Sequence, residues 1–236
     1  ERPGNNPRDF YRASLHLSEY IRYTLTQKKE SVWIAQRNGR TKDGIDRTDQ
    51  GIIKMFGMSR TDNKVDSLAE LNIVPVAVSY EWESCDILKT LELYASQNTK
   101  YVKKPGEDLN SILTGIMQPK GRVHIEFCDL VTKDDLMQFS EATTSDFNRQ
   151  VASLLDERIC RAYRLTPNNY IAHDLRFGNT MYGAYYTSEQ KDAYMKHLLK
   201  LQNYAESCEM DLLYDIFLGI YSNPVDSKNK YDKQSV

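Results

Sequence analysis

At 236 residues, 40% hydrophobic and 27% charged, the chain has the composition of a globular protein able to bury a sizeable core. Its formal net charge of -2 argues against nucleic acid as the main partner, since a phosphate backbone demands a basic surface. With a mean hydropathy of -0.62 and no run near the ~20 apolar residues of a membrane span, any membrane contact is expected to be peripheral.

In chain order, Asn6–Pro7 reads as an N-cap followed by proline at the first helical position. Phe10, Ser14, Leu17, Ile21, Thr24 and Leu25 then share one helical face to about Gln27. Ser31–Ala35 is an expected strand, and a helix is expected over Thr48–Phe56. Val65–Leu71 predicts a short helix, and Ile73–Tyr80 a strand whose Pro75 places it at an edge or a strand start. Ile87, Leu88, Leu91 and Tyr94 mark a helix, Leu109–Met117 another, and Gly121–Val131 a strand with Val123, Ile125 and Phe127 alternating. Strands separated by helices predict an α/β fold, a mainly parallel sheet flanked by helices.

Beyond Thr132 the pattern is helical only. Thr132 with Asp135 has the spacing of a capping box, and Phe147, Val151, Leu154, Leu155 and Ile159 stripe a longer helix. Ser188–Ser207 and Met210–Tyr221 are further helices, and Pro224–Val236 is expected to be a disordered polar tail. The chain therefore divides into residues 1–131, an α/β core, and 132–236, a helical C-terminal region.

The richest segment lies between the first strand and the helix after it. Arg37, Arg40, Lys42 and Arg47 share a loop punctuated by Gly39 and Gly44. Guanidinium forks match phosphate oxygens, so a basic glycine-bearing turn between strand and helix predicts an anion site. The competing account is a solvated loop in which Asp43, Asp46 and Asp49 supply local ion pairs. The loop lacks the G-x4-G-K-[ST] spacing of a kinase-type phosphate loop.

Other features carry less. Cys85, Cys128, Cys160 and Cys208 are scattered, without CxxC spacing, and read as reduced thiols of a cytoplasmic protein; neither a metal nor a cofactor is implied. Tyr182, Tyr185 and Tyr186, from a total of 16 tyrosines, suit either a lipid interface or a half-buried surface. His173–Asp174 is adjacent in sequence and reads as structural, and Ser79 has no nucleophile-elbow context.

QRNGRTKDG at Gln36–Gly44, followed by IVPVAVSYE at Ile73–Glu81, resembles the second and third sequence blocks of the glycerolipid acyltransferase superfamily. That superfamily includes the glycerol-3-phosphate and 1-acylglycerol-3-phosphate acyltransferases, and the resemblance covers roughly Ser14–Val131. It departs in one place, where Asn38 stands for the family's usual glutamate. The resemblance implies acyl transfer from an acyl thioester, on coenzyme A or acyl carrier protein, to the hydroxyl of a glycerol-phosphate or lysolipid acceptor. Arg37, Gly39, Arg40, Lys42 and Arg47 would hold the acceptor's phosphate, with Arg40 matching the family's arginine. It implies a cytoplasmic protein, peripheral on the inner face of a membrane. The alternative is a non-catalytic lipid- or phosphate-binding module of the same fold.

The same resemblance implies a histidine general base oriented by an aspartate five residues later. His124 and Asp129 have that spacing, but they follow the two blocks instead of preceding them. They also alternate along an expected strand, which sends their side chains to opposite faces. The catalytic pair is therefore expected upstream of Glu1, with the α/β core incomplete at its N-terminus, and no catalytic residue is assigned within the chain.

Overall fold

The protein is described from a computed structural model, for residues 6–37, 41–97 and 101–232. Its first helices are α1 (Pro7–Tyr23), α2 (Gln50–Gly57), α3 (Lys64–Ala69), α4 (Asp86–Ala95) and α5 (Glu107–Met117). Then come α6 (Lys133–Met137), α7 (Thr144–Ala162), α8 (Pro167–Phe177), α9 (Ser188–Leu198) and α10 (Met210–Asp232). Strands β1 (Val76–Tyr80) and β2 (Val123–Phe127) form the sheet.

The expected parallel sheet is not found. Among the described residues the chain is 61% helical, and its sheet is one antiparallel pair. Glu81 N donates to Arg122 O at one end of the pair, and Cys128 N to Pro75 O at the other, both at 2.9 Å. Period-2 alternation locates a strand but carries no direction, so the helices between the strands were not evidence for a parallel crossover. Ser31–Ala35 has no regular secondary structure and makes no ladder; Val32 packs on a core, and Trp33 is 73% exposed. Pro75 has no N–H to donate, and β1 starts just after it.

Local chemistry explains where helices start. Asn6 Oδ1 accepts from Arg8 N at 3.0 Å, with Pro7 opening α1. Thr132 and Asp135 form the expected capping box of α6, and Thr166 with Asn169 and Thr187 with Gln190 do the same for α8 and α9. The C-terminal expectation fails: α10 runs unbroken through Pro224 to Asp232. Pro224 and Val225 are buried, and Asn223 Nδ2 donates to Asp43 O at 2.7 Å, so packing offsets the hydrogen bond proline removes.

The chain forms two compact units, each from separate segments. Unit 1 comprises residues 1–40, 47–76 and 127–159. Its core joins Ile21 of α1, Ile53 and Phe56 of α2, Val65 and Leu68 of α3, Leu136 of α6, and Phe147, Val151 and Leu155 of α7. Arg22 crosses it, reaching Glu70 at 2.8 Å and the carbonyls of Phe56 and Ser67 at 3.1 Å each. Unit 2 comprises residues 41–46, 77–126 and 160–236, with a core of Ile171, Tyr194, Leu201, Leu213 and Phe217. No helix among the described residues is long and apolar enough to cross a membrane.

Candidate functional site: a polar cleft beside the basic loop

The two ends of the basic loop meet in unit 1. Asp49 N donates to Gln36 O at 2.8 Å, which draws the main chain beside Arg37 to the main chain beside Arg47. Thr48 then anchors the exit, its N and Oγ1 both donating to Asp156 Oδ1, at 2.7 and 2.6 Å. Arg37 is half-buried and Arg47 exposed, and neither makes an ion pair among the described residues. Lys42 lies in unit 2, where its ammonium pairs with Glu92, so that charge is neutralised. Asn38, Gly39 and Arg40 lie outside the described residues.

Gly44 is required by packing. Its φ is +75°, and a Cβ there would lie 2.1 Å from the Ile220 carbonyl oxygen of α10. The last glycine of QRNGRTKDG therefore serves the seating of its own segment in unit 2.

The loop leads into α2, and the start of α2 faces a cleft of about 580 Å3 contained in unit 1. Asp49, Gln50, Gly51 and Lys54 line it from α2, and Thr144, Ser145 and Asn148 from the first turn of α7. Asp49 caps α2 by accepting from Gly51 N at 2.7 Å, and Gln50 Nε2 ties the helix starts together at 2.8 Å from Ser145 O. Asn148, 7% exposed, is the one buried residue of that lining. Lys54 supplies an exposed ammonium, Asp49 a carboxylate acceptor, and the two helix starts a positive potential. Such a lining suits a small molecule bearing hydroxyls and one anionic group. Sequence reading missed the cleft, because Thr144, Ser145 and Asn148 belong to no motif.

The histidines and the serine considered from sequence have structural tasks. His124 Nε2 lies 3.0 Å from Glu126 Oε2, two residues along β2, while the Asp129 carbonyl accepts from Arg158 Nη1 at 2.9 Å. Ser79 is buried, and its Oγ accepts from Arg164 N at 2.9 Å. Asp174 spends its carboxylate on Tyr182 N at 3.1 Å and Tyr186 Oη at 2.8 Å. His173 lies against Phe177 and Tyr182 with its Nε2 3.5 Å from Asp226.

A second network in unit 2 had no sequence signal. Buried Asp86 accepts from Tyr221 Oη at 2.7 Å, and its Oδ2 lies 2.7 Å from His197 Nε2. Burial, with the charge of Asp86 behind it, pushes the Tyr221 and Tyr194 hydroxyls well above the ordinary tyrosine range. Lys200 Nζ, which can only donate, faces His197 Nδ1 at 3.1 Å. Both ring nitrogens of His197 are therefore engaged within the protein, Nε2 with Asp86 and Nδ1 with Lys200. This is a carboxylate–imidazole pair that joins α4, α9 and α10, not a general base.

Comparison of the chain with protein-family models, with curated proteins and with solved structures gives no match.

Proposed function

We propose that this chain takes part in acyl transfer from an acyl thioester, on coenzyme A or acyl carrier protein, to the hydroxyl of a phosphate-bearing glycerol or lysolipid acceptor. Its basic loop holds the acceptor's phosphate. The observation that carries the reading is the pair of blocks QRNGRTKDG and IVPVAVSYE. The antiparallel pair lends it no support, because the α/β fold expected of the segment carrying those blocks is a mainly parallel sheet. Two features of unit 1 are compatible with it: Arg37 and Arg47 carry charges not spent on ion pairs among the described residues, and a polar cleft opens at the helix the loop enters.

In this role the loop acts by positioning. A guanidinium fork on the phosphate fixes the acceptor, so that its hydroxyl meets the thioester carbonyl in one orientation. The alcohol proton passes to a base outside the residues assigned here, and the thiol leaves. A second reading, a non-catalytic lipid- or phosphate-binding module, is favoured by Asn38, which removes the carboxylate the family's block carries.

The test is thioester consumption with glycerol 3-phosphate and with lysophosphatidate, beside equilibrium binding of both, for wild type and Arg40→Ala. Arg40→Ala is expected to weaken acceptor binding by about 1.5–3 kcal/mol, and Arg40→Lys to recover part of it. Binding that depends on Arg40 without turnover supports the module. Turnover indifferent to Arg40→Ala removes that residue from the site, and absence of both binding and turnover overturns both readings.

A further inference from the structure

Strand β2 is open along one edge. Its only sheet neighbour among the described residues is β1, whose Ala77 and Ser79 are buried. The bonds at the two ends of the pair set Glu81 opposite Arg122 and Pro75 opposite Cys128, so a single register runs between them. Main-chain bonds of an antiparallel pair fall on alternate residues. The N–H and C=O of His124 and Glu126 therefore point to β1, and those of Val123, Ile125 and Phe127 point away from it. These three residues are 48, 57 and 71% exposed, and their side chains share one face, with His124 and Glu126 on the other. Natural edges are ordinarily blunted by proline, lysine or a bulge; β2 has neither proline nor lysine.

An open edge specifies its occupant, which an apolar face does not. The stripe Leu109, Ile112, Leu113, Ile116 and Met117 of α5 is also exposed, yet such side chains accept any apolar surface. A row of outward N–H and C=O groups accepts another strand. The sequence Val-His-Ile-Glu-Phe then reads as its own complement. Set antiparallel to a copy of itself about Ile125, it brings Val123 opposite Phe127 and Ile125 opposite Ile125. Outward main-chain groups thus meet outward main-chain groups, in the pattern that bonded pairs require. On the other face His124 falls opposite Glu126. His124 Nε2 already lies 3.0 Å from Glu126 Oε2 within the strand, so the two-fold gathers two imidazole–carboxylate pairs and opposes no like charges. Arg122, just before the strand, is held by Glu81 and would fall opposite Cys128, not opposite itself.

We infer that β2 is a dimerisation edge, pairing antiparallel with β2 of a second copy of this chain about a two-fold axis at Ile125. The sheet then runs β1–β2–β2–β1, with about six main-chain hydrogen bonds at the new junction. Val123 packs across it on Phe127, and Ile125 on Ile125. Assembly closes at two copies, because the contact uses up the open edge and β1 is buried. A five-residue strand is small beside a permanent interface, so association is expected at micromolar concentrations or above. The inference does not rest on the acyl-transfer reading, since mass in solution and thioester turnover are measured separately and either can fail alone.

The experiment is sedimentation velocity of the chain from about 5 to about 500 μM, a span that brackets the affinities of small contacts. Wild type is expected to pass from monomer to dimer across it. Ile125→Pro removes the central outward N–H without touching a bond to β1, and is expected to weaken the dimer at least about tenfold. Ile125→Lys, which sets like charges on the axis, is expected to do the same without proline's constraint on the strand. His124→Glu sets glutamate against glutamate at both crossings and is expected to weaken the dimer several-fold; His124→Glu/Glu126→His restores unlike neighbours and is expected to recover it. Circular dichroism of each variant checks that the fold is unchanged. Wild type that stays monomeric throughout overturns the inference, including one that binds an unrelated extended peptide at β2 instead. So does a dimer indifferent to Ile125→Pro and Ile125→Lys, or one that His124→Glu leaves as tight as wild type.

Discussion

Helices α5 and α8 are both eleven residues long and both belong to unit 2, yet they treat their side chains in opposite ways. Helix α8 buries Asn168, Asn169, His173 and Asp174 beside Ile171 and Ala172; α5, with five large apolar residues in its stripe, buries none. The difference lies in what each helix meets. Asn168 Nδ2 donates to Glu81 O at 2.6 Å, and Asn169 Nδ2 to Tyr221 O at 2.8 Å, while Asp174 holds the turn and the tyrosine that follow. A buried polar group whose bonds are made costs little, whereas an apolar stripe with no facing element has no surface to leave water for. Burial in this unit follows the partner that is present, not the hydropathy of the helix.

Breaking the polar side of α8 should have the largest effect. Asp174→Ala strands Tyr182 N and the Tyr186 hydroxyl, and is expected to cost about 2–4 kcal/mol in equilibrium denaturation. A loss under about 0.5 kcal/mol would show that these bonds do not sustain the burial of α8.

Tyr186→Phe sharpens the same point and should cost less, about 1.5 kcal/mol at neutral pH, the worth of one bond to a charged acceptor. Burial first, and then the bond to Asp174, raise the Tyr186 hydroxyl above the ordinary tyrosine value. The protonated phenol is thus the form the fold favours. Its contribution is complete below the unfolded pKa of about 10 and is lost as pH rises through the higher folded value. The stability gap between wild type and Tyr186→Phe should therefore stay constant from neutrality toward pH ~10 and close above it. A gap that widens in alkali would contradict the assignment.

The smallest effect is expected on α5, where Leu113→Ser should shift stability by no more than about 0.5 kcal/mol, as for other surface changes. A loss of 2 kcal/mol or more, typical of a core leucine, would mean that the stripe is covered in solution.

Much of the helical outline was legible. The Asn6–Pro7 start of α1, the Thr132–Asp135 box of α6 and the striped helix through Phe147 and Val151 depend on contacts within a few residues. The two surviving strands were legible as strands for the same reason. Their pairing direction was not, because Glu81 meets Arg122 and Pro75 meets Cys128 across more than forty residues of chain. Ser31–Ala35 has the composition of a strand but no described partner to pair with, and Pro224 reads as a helix stop until its burial in α10 is known. At the candidate site, the basic loop could be found from its residues, whereas Asn148 and the neutralisation of Lys42 by Glu92 could not.

By itself the sequence determined the caps, the periodic faces and the cluster of cations at residues 37–47, since each is written in neighbouring side chains and their spacing. Tertiary structure alone decided which faces are covered. It turned α5's apolar stripe outward by seating Ser111 and Gly115 on Cys85, and it took Asp86, His197 and Tyr221 from three distant helices into one buried network. Spacing along a chain states which residues share a face; only the arrival of a partner decides whether that face is core or surface.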